Sequence, residues 1–431
     1  MLASWDYCSH MHFKAKQRMH ELSLQVLDGL EMGSSDLNTS GTHAALRPLT
    51  KFVEENFEQW VDPFFAFIDA FVSVENAVNS LEISAPPGPL RDALSADQRQ
   101  LAAERVVEFW DAVPKTYEFI FPLPAFPLFG NDIEIAPGLK LKNVAQSMVD
   151  GATMGVGVPL NTLAGGPQPL MACLEVSGKG LMIFANAADP AAASAIRRAK
   201  VVLQLGEVED VFTLSETKFR PPHHIDHVPN DSTHAVVLPA ALAGALARLT
   251  ATPSEVQPQA TLADRLPVVG LILSREGQWD PTASKKAKSP VEAAQAELDR
   301  HCARIATAAE WLFDATHDQA SATTFVQTAI GFEALYGGAK GEPVIETLAN
   351  RVAYSLGTSP QSREQTARAF TQFYDTRSTV VHSGASRLTM EQQRQLSSAQ
   401  STLKNALRHE MCLVSQGNAE IAAERGATKG N

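Results

Sequence analysis

The stretch Ser289-Pro290-Val291-Glu292, leading into Ala293-Ala294-Gln295-Ala296, marks where the chain changes character. A serine hydroxyl can accept the backbone N–H three residues on, and proline suits the first helical position because its missing N–H has no partner there. The glutamate three residues after the serine can reach back to the chain entering the helix. The order of these residues therefore predicts an abrupt helix start, and everything beyond it reads as helix. A first helix is expected over 291–313. A second covers 322–336, with Phe325, Val326, Ala329, Ile330, Phe332 and Leu335 on a broad apolar face, and stops at Gly337-Gly338. A third covers about 343–356, with Ile345, Leu348, Ala349, Val352 and Leu356 inward. Ser362 with Gln365 is expected to cap a fourth carrying Ala369, Phe370, Phe373 and Tyr374, and Thr389 with Gln392 a fifth ending near 414. Five helices with short connections predict an α-helical bundle over 287–416, with the polar stretch 417–431 as a flexible tail.

Working upstream, 280–289 with Lys285, Lys286 and Lys288 reads as a solvated linker. Over 114–280 the period of two replaces that of a helix. Tyr117, Phe119 and Phe121 alternate, as do Ile133 and Ile135, then Leu139 and Leu141. Ser177-Gly178-Lys179-Gly180 between apolar runs predicts a hairpin turn, and helical pieces are expected near 191–205 and 238–249. Residues 1–113 read as helical, with Pro63 expected to open an aromatic helix through Phe64, Phe65, Phe67, Ile68 and Phe71. The whole is an α+β multidomain chain: a helical N-terminal region, a β-rich central domain that could act as a sensor, and a C-terminal all-α bundle.

Thirty-six Lys plus Arg against 48 Asp plus Glu give the 431 residues a net charge of −12, which excludes a general nucleic-acid coat. The acidity is uneven. Within 291–415 there are 11 Lys plus Arg and 13 Asp plus Glu, so a local phosphate site in the bundle remains open. Cys8, Cys173, Cys302 and Cys412 are too dispersed for a zinc knuckle or a redox pair, and read as free thiols. No secretory leader is visible at the N-terminus, and no apolar run reaches the roughly 20 residues of a membrane span. A cytoplasmic protein without membrane contact is the expectation.

The residues that could carry chemistry are few. Arg377 and His382 stand five positions apart near the end of the fourth helix, before Ser383-Gly384. Histidine can move a proton near neutral pH, and arginine presents a permanent cationic fork suited to phosphate. Five positions on a helix are about 140° apart, so a shared site in one chain requires the helix to end or bend before His382. The alternative is structural: Arg377 paired with a carboxylate such as Glu333, and His382 capping terminal carbonyls. Glu333, on a mostly apolar helix, is expected to meet Arg377 or Arg351 in a supporting role. His223, His224 and His227, with Asp226, form a weaker metal-ligand candidate in a proline-flanked loop; otherwise no metal and no cofactor is expected.

Three segments together resemble the HEPN superfamily, and its ApeA-like domains in particular, over roughly 290–415: Phe332-Glu333-Ala334-Leu335-Tyr336, Leu348-Ala349-Asn350-Arg351-Val352-Ala353, and Phe373-Tyr374 followed by Arg377-Ser378 and Val381-His382-Ser383-Gly384. The last contains the family's R-x4-H motif. The resemblance implies metal-independent RNA cleavage by 2′-hydroxyl attack, leaving a 2′,3′-cyclic phosphate, by a homodimer that gathers two motifs. It further implies a setting of antiphage defence, abortive infection or toxin-like action under an unknown trigger, with Arg377 and His382 catalytic and Ser378 supporting. Nuclease-competent members commonly carry Asn, Asp or His after the arginine, where this chain has Ser378. A non-catalytic dimerisation or regulatory module is the second expectation.

Overall fold

The structure is a computed structural model that describes residues 11–33, 37, 42–61, 63, 65–81, 83, 87–123, 131–145, 170–182, 190–216, 234–237, 249–253, 259–317, 322–337, 344–383 and 388–429. It is mostly helical, with a small, largely antiparallel sheet in the middle of the chain and helices after it.

The N-terminal helices are α1 (Phe13–Gly29), α2 (Thr42–Phe57), α3 (Ala66–Asn79), α4 (Leu90–Ala93) and α5 (Ala96–Asp111). Local chemistry sets their ends. His12 caps α1 by accepting the Lys14 N–H, and Ser95 with Gln98 forms a reciprocal capping box at α5. Pro63 does not open α3, which begins at Ala66 behind an N-cap, Phe65, that makes no side-chain hydrogen bond. Apolar faces of these helices meet in a core of their own around Met19, Val26, Leu46, Val74 and Trp110. The buried indole of Trp110 donates to Ser73 Oγ at 3.1 Å, so its polar atom is not stranded. Two-residue strands β1 (Glu31–Met32) and β2 (Gly88–Pro89) pair antiparallel across this unit.

The sheet comprises β3 (Lys115–Pro122), β4 (Ile133–Ala136), β5 (Leu139–Ala145), β6 (Leu170–Gly180) and β8 (His234–Val237), in the order β4-β5-β6-β3-β8. Among the described residues only the β3–β8 pairing is parallel; β7 (Phe212–Glu216) and β9 (Leu249–Pro253) form a separate antiparallel pair. The expected hairpin at 177–180 is absent, because β6 continues straight through those residues against β3. Its glycines serve close approach instead. A Cβ at Gly178 would lie 2.5 Å from the Ala191 carbonyl oxygen, and one at Gly180 2.9 Å from the Ala191 nitrogen. They let α6 (Pro190–Val208) settle directly on the strand. Gly270 in α7 (Gln259–Glu276) plays the same part against β4, where a Cβ would run into the Ile135 carbonyl. The helix expected near 238–249 falls almost wholly outside the described residues.

After the four-residue α8 (Ala283–Lys286), which occupies the expected linker, come α9 (Pro290–His317), α10 (Ala322–Tyr336), α11 (Val344–Leu356), α12 (Pro360–Ser383) and α13 (Met390–Lys429). Ser289 Oγ accepts the Glu292 N–H at 3.2 Å as expected, while the Glu292 carboxylate reaches one residue further back, to the Lys288 N–H. Thr389 and Gln392 cap α13 reciprocally. The cap of α12 is Ser359, three residues before the expected Ser362, with Ser362 acting as its reciprocal partner. The flexible tail expected at 417–431 is instead a continuation of α13 to Lys429, tied down by buried Ile421 and by Asn418, whose side chain accepts from Arg275 of α7 at 2.7 Å.

Sheet and bundle share one buried cluster that runs from Phe119 and Val176 through Ala199 and Val202 to Ile305, Phe332 and Leu403. Helix α6 lies in the middle of it, buried throughout Val201–Gly206 and along its small-residue face at Ala191, Ala192, Ala195 and Ala199. The flanks of this junction carry ion pairs. Arg197 of α6 holds Glu276 of α7 and Glu310 of α9, Lys200 meets Asp314 at 2.7 Å, and Arg275 meets Asp299 at 2.9 Å.

Candidate functional site

Helix α12 does not end or bend before His382; it runs unbroken to Ser383. Arg377 and His382 therefore stand on one regular helix, about 7.5 Å apart along its axis and about 140° apart around it. The reason lies in packing: Val380, fully buried between them, fastens this last stretch to the bundle, so the helix persists past His382. His382 is exposed, as are Ser378 and Thr379, and Val381 is 39% exposed. The C-terminal turn thus offers an open imidazole on a polar surface.

Arg377 is half-buried, and its Nε is buried without a hydrogen-bond partner. The expected partner of its charge, Glu333, makes no ion pair with it among the described residues. Glu333 instead accepts a hydrogen bond from the Tyr374 hydroxyl at 3.1 Å, and that hydroxyl also lies 3.4 Å from the Ala329 carbonyl oxygen. Burial and the adjacent Glu333 charge push the Tyr374 phenol far up; the Arg377 cation opposes them. A neutral phenol can solvate a half-buried carboxylate as a donor, which is why Glu333 needs no arginine of its own. Arg351, the other candidate, donates to the Tyr336 carbonyl at 2.5 Å.

Of the expected site residues, the structure keeps Arg377, Ser378 and His382 together on two turns of α12 and sets Glu333 across from them through Tyr374. It does not bring Arg377 and His382 onto one face. His223, His224 and His227 lie outside the described residues. Among the described residues, no group of three His, Cys, Asp or Glu is arranged to hold a metal ion, and no helix is long and apolar enough to cross a membrane.

A second polar cluster sits about 22 Å further along α13 than Gln395, the residue that ties α13 to Thr376 of α12. There Glu410, 5% exposed, accepts from the Tyr336 hydroxyl at 2.8 Å and lies 3.0 Å from His301 Nε2, with Ser355 Oγ at 3.5 Å. The His301 contact lies at ion-pair distance but off the line of a good hydrogen bond. Burial raises the Glu410 carboxyl, but the His301 and Tyr336 contacts and the His409 charge outweigh it and hold it below the ordinary glutamate value. This cluster has no local sequence signature, since its members come from four helices. A histidine and a glutamate interrupting apolar helical faces are the only trace it leaves in the sequence.

Comparison of the chain with protein-family models, with curated proteins and with solved structures returned no match.

Proposed function

We propose that the C-terminal bundle is a HEPN-type, metal-independent endoribonuclease that acts as a homodimer, with the upstream regions sensing a trigger or restraining it, in antiphage defence or toxin-like action. Arg377 would hold the phosphate and His382 would move the proton between the ribose 2′-hydroxyl and the leaving oxygen. The observation that supports this most is the pairing of an exposed imidazole with a guanidinium on the last two turns of a single bundle helix. Because the two side chains diverge around α12, a complete site calls for a second copy. Two α12 ends packed together would set Arg377 of one chain beside the partner subunit's His382. The test is incubation of the purified protein with RNA in EDTA, analysing products for 2′,3′-cyclic phosphate ends. Loss of cleavage in His382→Ala and Arg377→Ala is expected; cleavage at the wild-type rate in His382→Ala refutes the assignment.

One observation favours a second reading, a bundle that only dimerises or docks a partner. Arg377 turns its buried Nε toward the bundle, and its charge acts on the Tyr374–Glu333 pair, as a structural cation would. That reading predicts no toxicity on overexpression and no difference between wild type and Arg377→Ala in any RNA assay.

A further inference from the structure

The aromatic side chains of the bundle lie in its interior, with one exception. Tyr354 of α11 is 68% exposed, and among the described residues of the bundle no other Phe, Tyr or Trp is exposed. It stands on the opposite side of α11 from buried Leu348, Ala349, Val352 and Ala353, so core packing does not account for it.

The ring is nevertheless held. The Arg363 guanidinium lies over it, with Cζ 4.8 Å from the ring centre. Arg363 is pinned in turn: its Nε donates to the Gly357 carbonyl at 3.0 Å, just past the end of α11. Its stem passes through the notch that Gly357 leaves, where a Cβ would run into Arg363 Cγ and lie 2.9 Å from its Cα. Capping the end of α11 explains the arginine. It does not explain the tyrosine beneath it, because a capping arginine needs no ring and an exposed cation–π contact adds little to stability. Among the described residues the two terminal nitrogens of Arg363 make no hydrogen bond and its side chain makes no ion pair. An open ring face and a fixed cation with four unused N–H donors are left side by side.

That combination matches one nucleotide, whose base stacks on an aromatic face and whose phosphate accepts from a guanidinium. The surroundings are polar. Asn350 is exposed one turn earlier on the same side of α11, and Thr358 is exposed just beyond the helix. The other exposed apolar side chain of α11, Ile345, is 41% exposed rather than inward, but it lies about 13.5 Å away along the axis. No apolar groove for a peptide is formed by these residues. We propose that Tyr354 and Arg363 form a stacking platform that holds one nucleotide of single-stranded RNA, the base on the open face of Tyr354 and the phosphate on the outward N–H groups of Arg363. Arg363 lies about 21 Å before Arg377 along α12, so the platform is separate from the Arg377 and His382 pair. It rests on the RNA reading above for the identity of the strand, and neither Arg377 nor His382 takes part in it.

The test uses the full-length protein in EDTA and a fluorescent oligoribonucleotide of about ten residues, fully 2′-O-methylated so that no 2′-hydroxyl can react, read by anisotropy. Wild type is expected to bind it, and to bind the same probe about 10-fold or more weakly once it is hybridised to its complement, since a duplex hides its base faces. Loss of one stacked base predicts about 5- to 150-fold weaker binding in Tyr354→Ala, whereas Tyr354→Phe keeps the ring and should bind as wild type does. Arg363→Ala should also bind more weakly, with a slope of log affinity against log salt shallower by about 0.7. Should that variant disturb the end of α11, the contrast between Tyr354→Ala and Tyr354→Phe carries the test. Phe13→Ala, which removes a ring 76% exposed on α1, should leave affinity unchanged. No binding by wild type, wild-type affinity in Tyr354→Ala, equal affinity for the duplex, or an equal loss in Phe13→Ala overturns the platform. RNA cleavage by wild type together with unaltered affinity in Tyr354→Ala sinks the platform and leaves the nuclease reading standing; binding that depends on Tyr354 without any cleavage does the reverse.

Discussion

His317, the last residue of α9, offers a quantitative test of how the bundle is packed. Its ring lies 4.8 Å from that of Phe313, and its Nε2 is buried without a hydrogen-bond partner. Burial pushes its pKa from 6.5 down to about 4. A histidine that binds its proton more weakly when folded contributes stability that is fully present above pH 6.5 and is lost as pH falls toward 4. At about 1.4 kcal/mol per pH unit separating the two values, the complete loss is at most about 3 to 4 kcal/mol. About 2 kcal/mol of it should be gone by pH 5. His317→Phe keeps the ring contact with Phe313 while removing both the titration and the stranded nitrogen. Urea unfolding followed by far-UV circular dichroism at pH 7.5 and pH 5.0 should show wild type losing about 2 kcal/mol more than the variant. The carboxylates common to both proteins cancel in that difference. Equal losses would mean that the ring is solvated in the folded chain, and the reasoning fails.

Other substitutions probe the junction and the thiols. Gly270→Ala should destabilise the protein by about 1 to 3 kcal/mol, since the methyl must displace backbone rather than a side-chain tip; an unchanged urea midpoint would contradict the close approach of α7 to β4. Arg197→Met leaves Glu276, whose side chain is 9% exposed, without its cation, and should cost about 3 to 5 kcal/mol. Limited proteolysis should then cut more readily near α6 and α7, and a wild-type digestion pattern would count against the ion pairs' importance. Burial pushes the Cys173 and Cys302 thiols up to about 12, so iodoacetamide at pH 8 should label exposed Cys412 and spare those two, as read by peptide mass.

Features written by neighbours along the chain were legible in the sequence. Ser289 with Glu292 and Thr389 with Gln392 cap where expected, and α10 spans 322–336 as its apolar face and following glycines implied. Ser359-Pro360 repeats the Ser289-Pro290 pattern, so the proline at the first helical position was available evidence against Ser362 as the cap. The misreadings arise where a distant element decides. Gly178 and Gly180 look like turn residues until α6 arrives to lie on them, and the polar run after Gly417 looks frayed until Asn418 finds Arg275. At the candidate site, the identity and spacing of Arg377 and His382 could be read directly, but whether the helix broke between them depended on the burial of Val380. The partner of Glu333 was missed because a tyrosine hydroxyl carries no charge to predict. His301 and Glu410, 109 positions apart, share no local pattern at all.

The buried cluster that crosses from sheet to bundle makes the two halves a single unit of inheritance. Cutting between them would leave α6 with one bare apolar flank and α9 with another, so neither half is a cassette that recombination could move to a new partner intact. A change of side-chain volume at Ala199 or Val202 on one side must be answered at α9 on the other, and residues on the two sides should vary together among descendants of this chain.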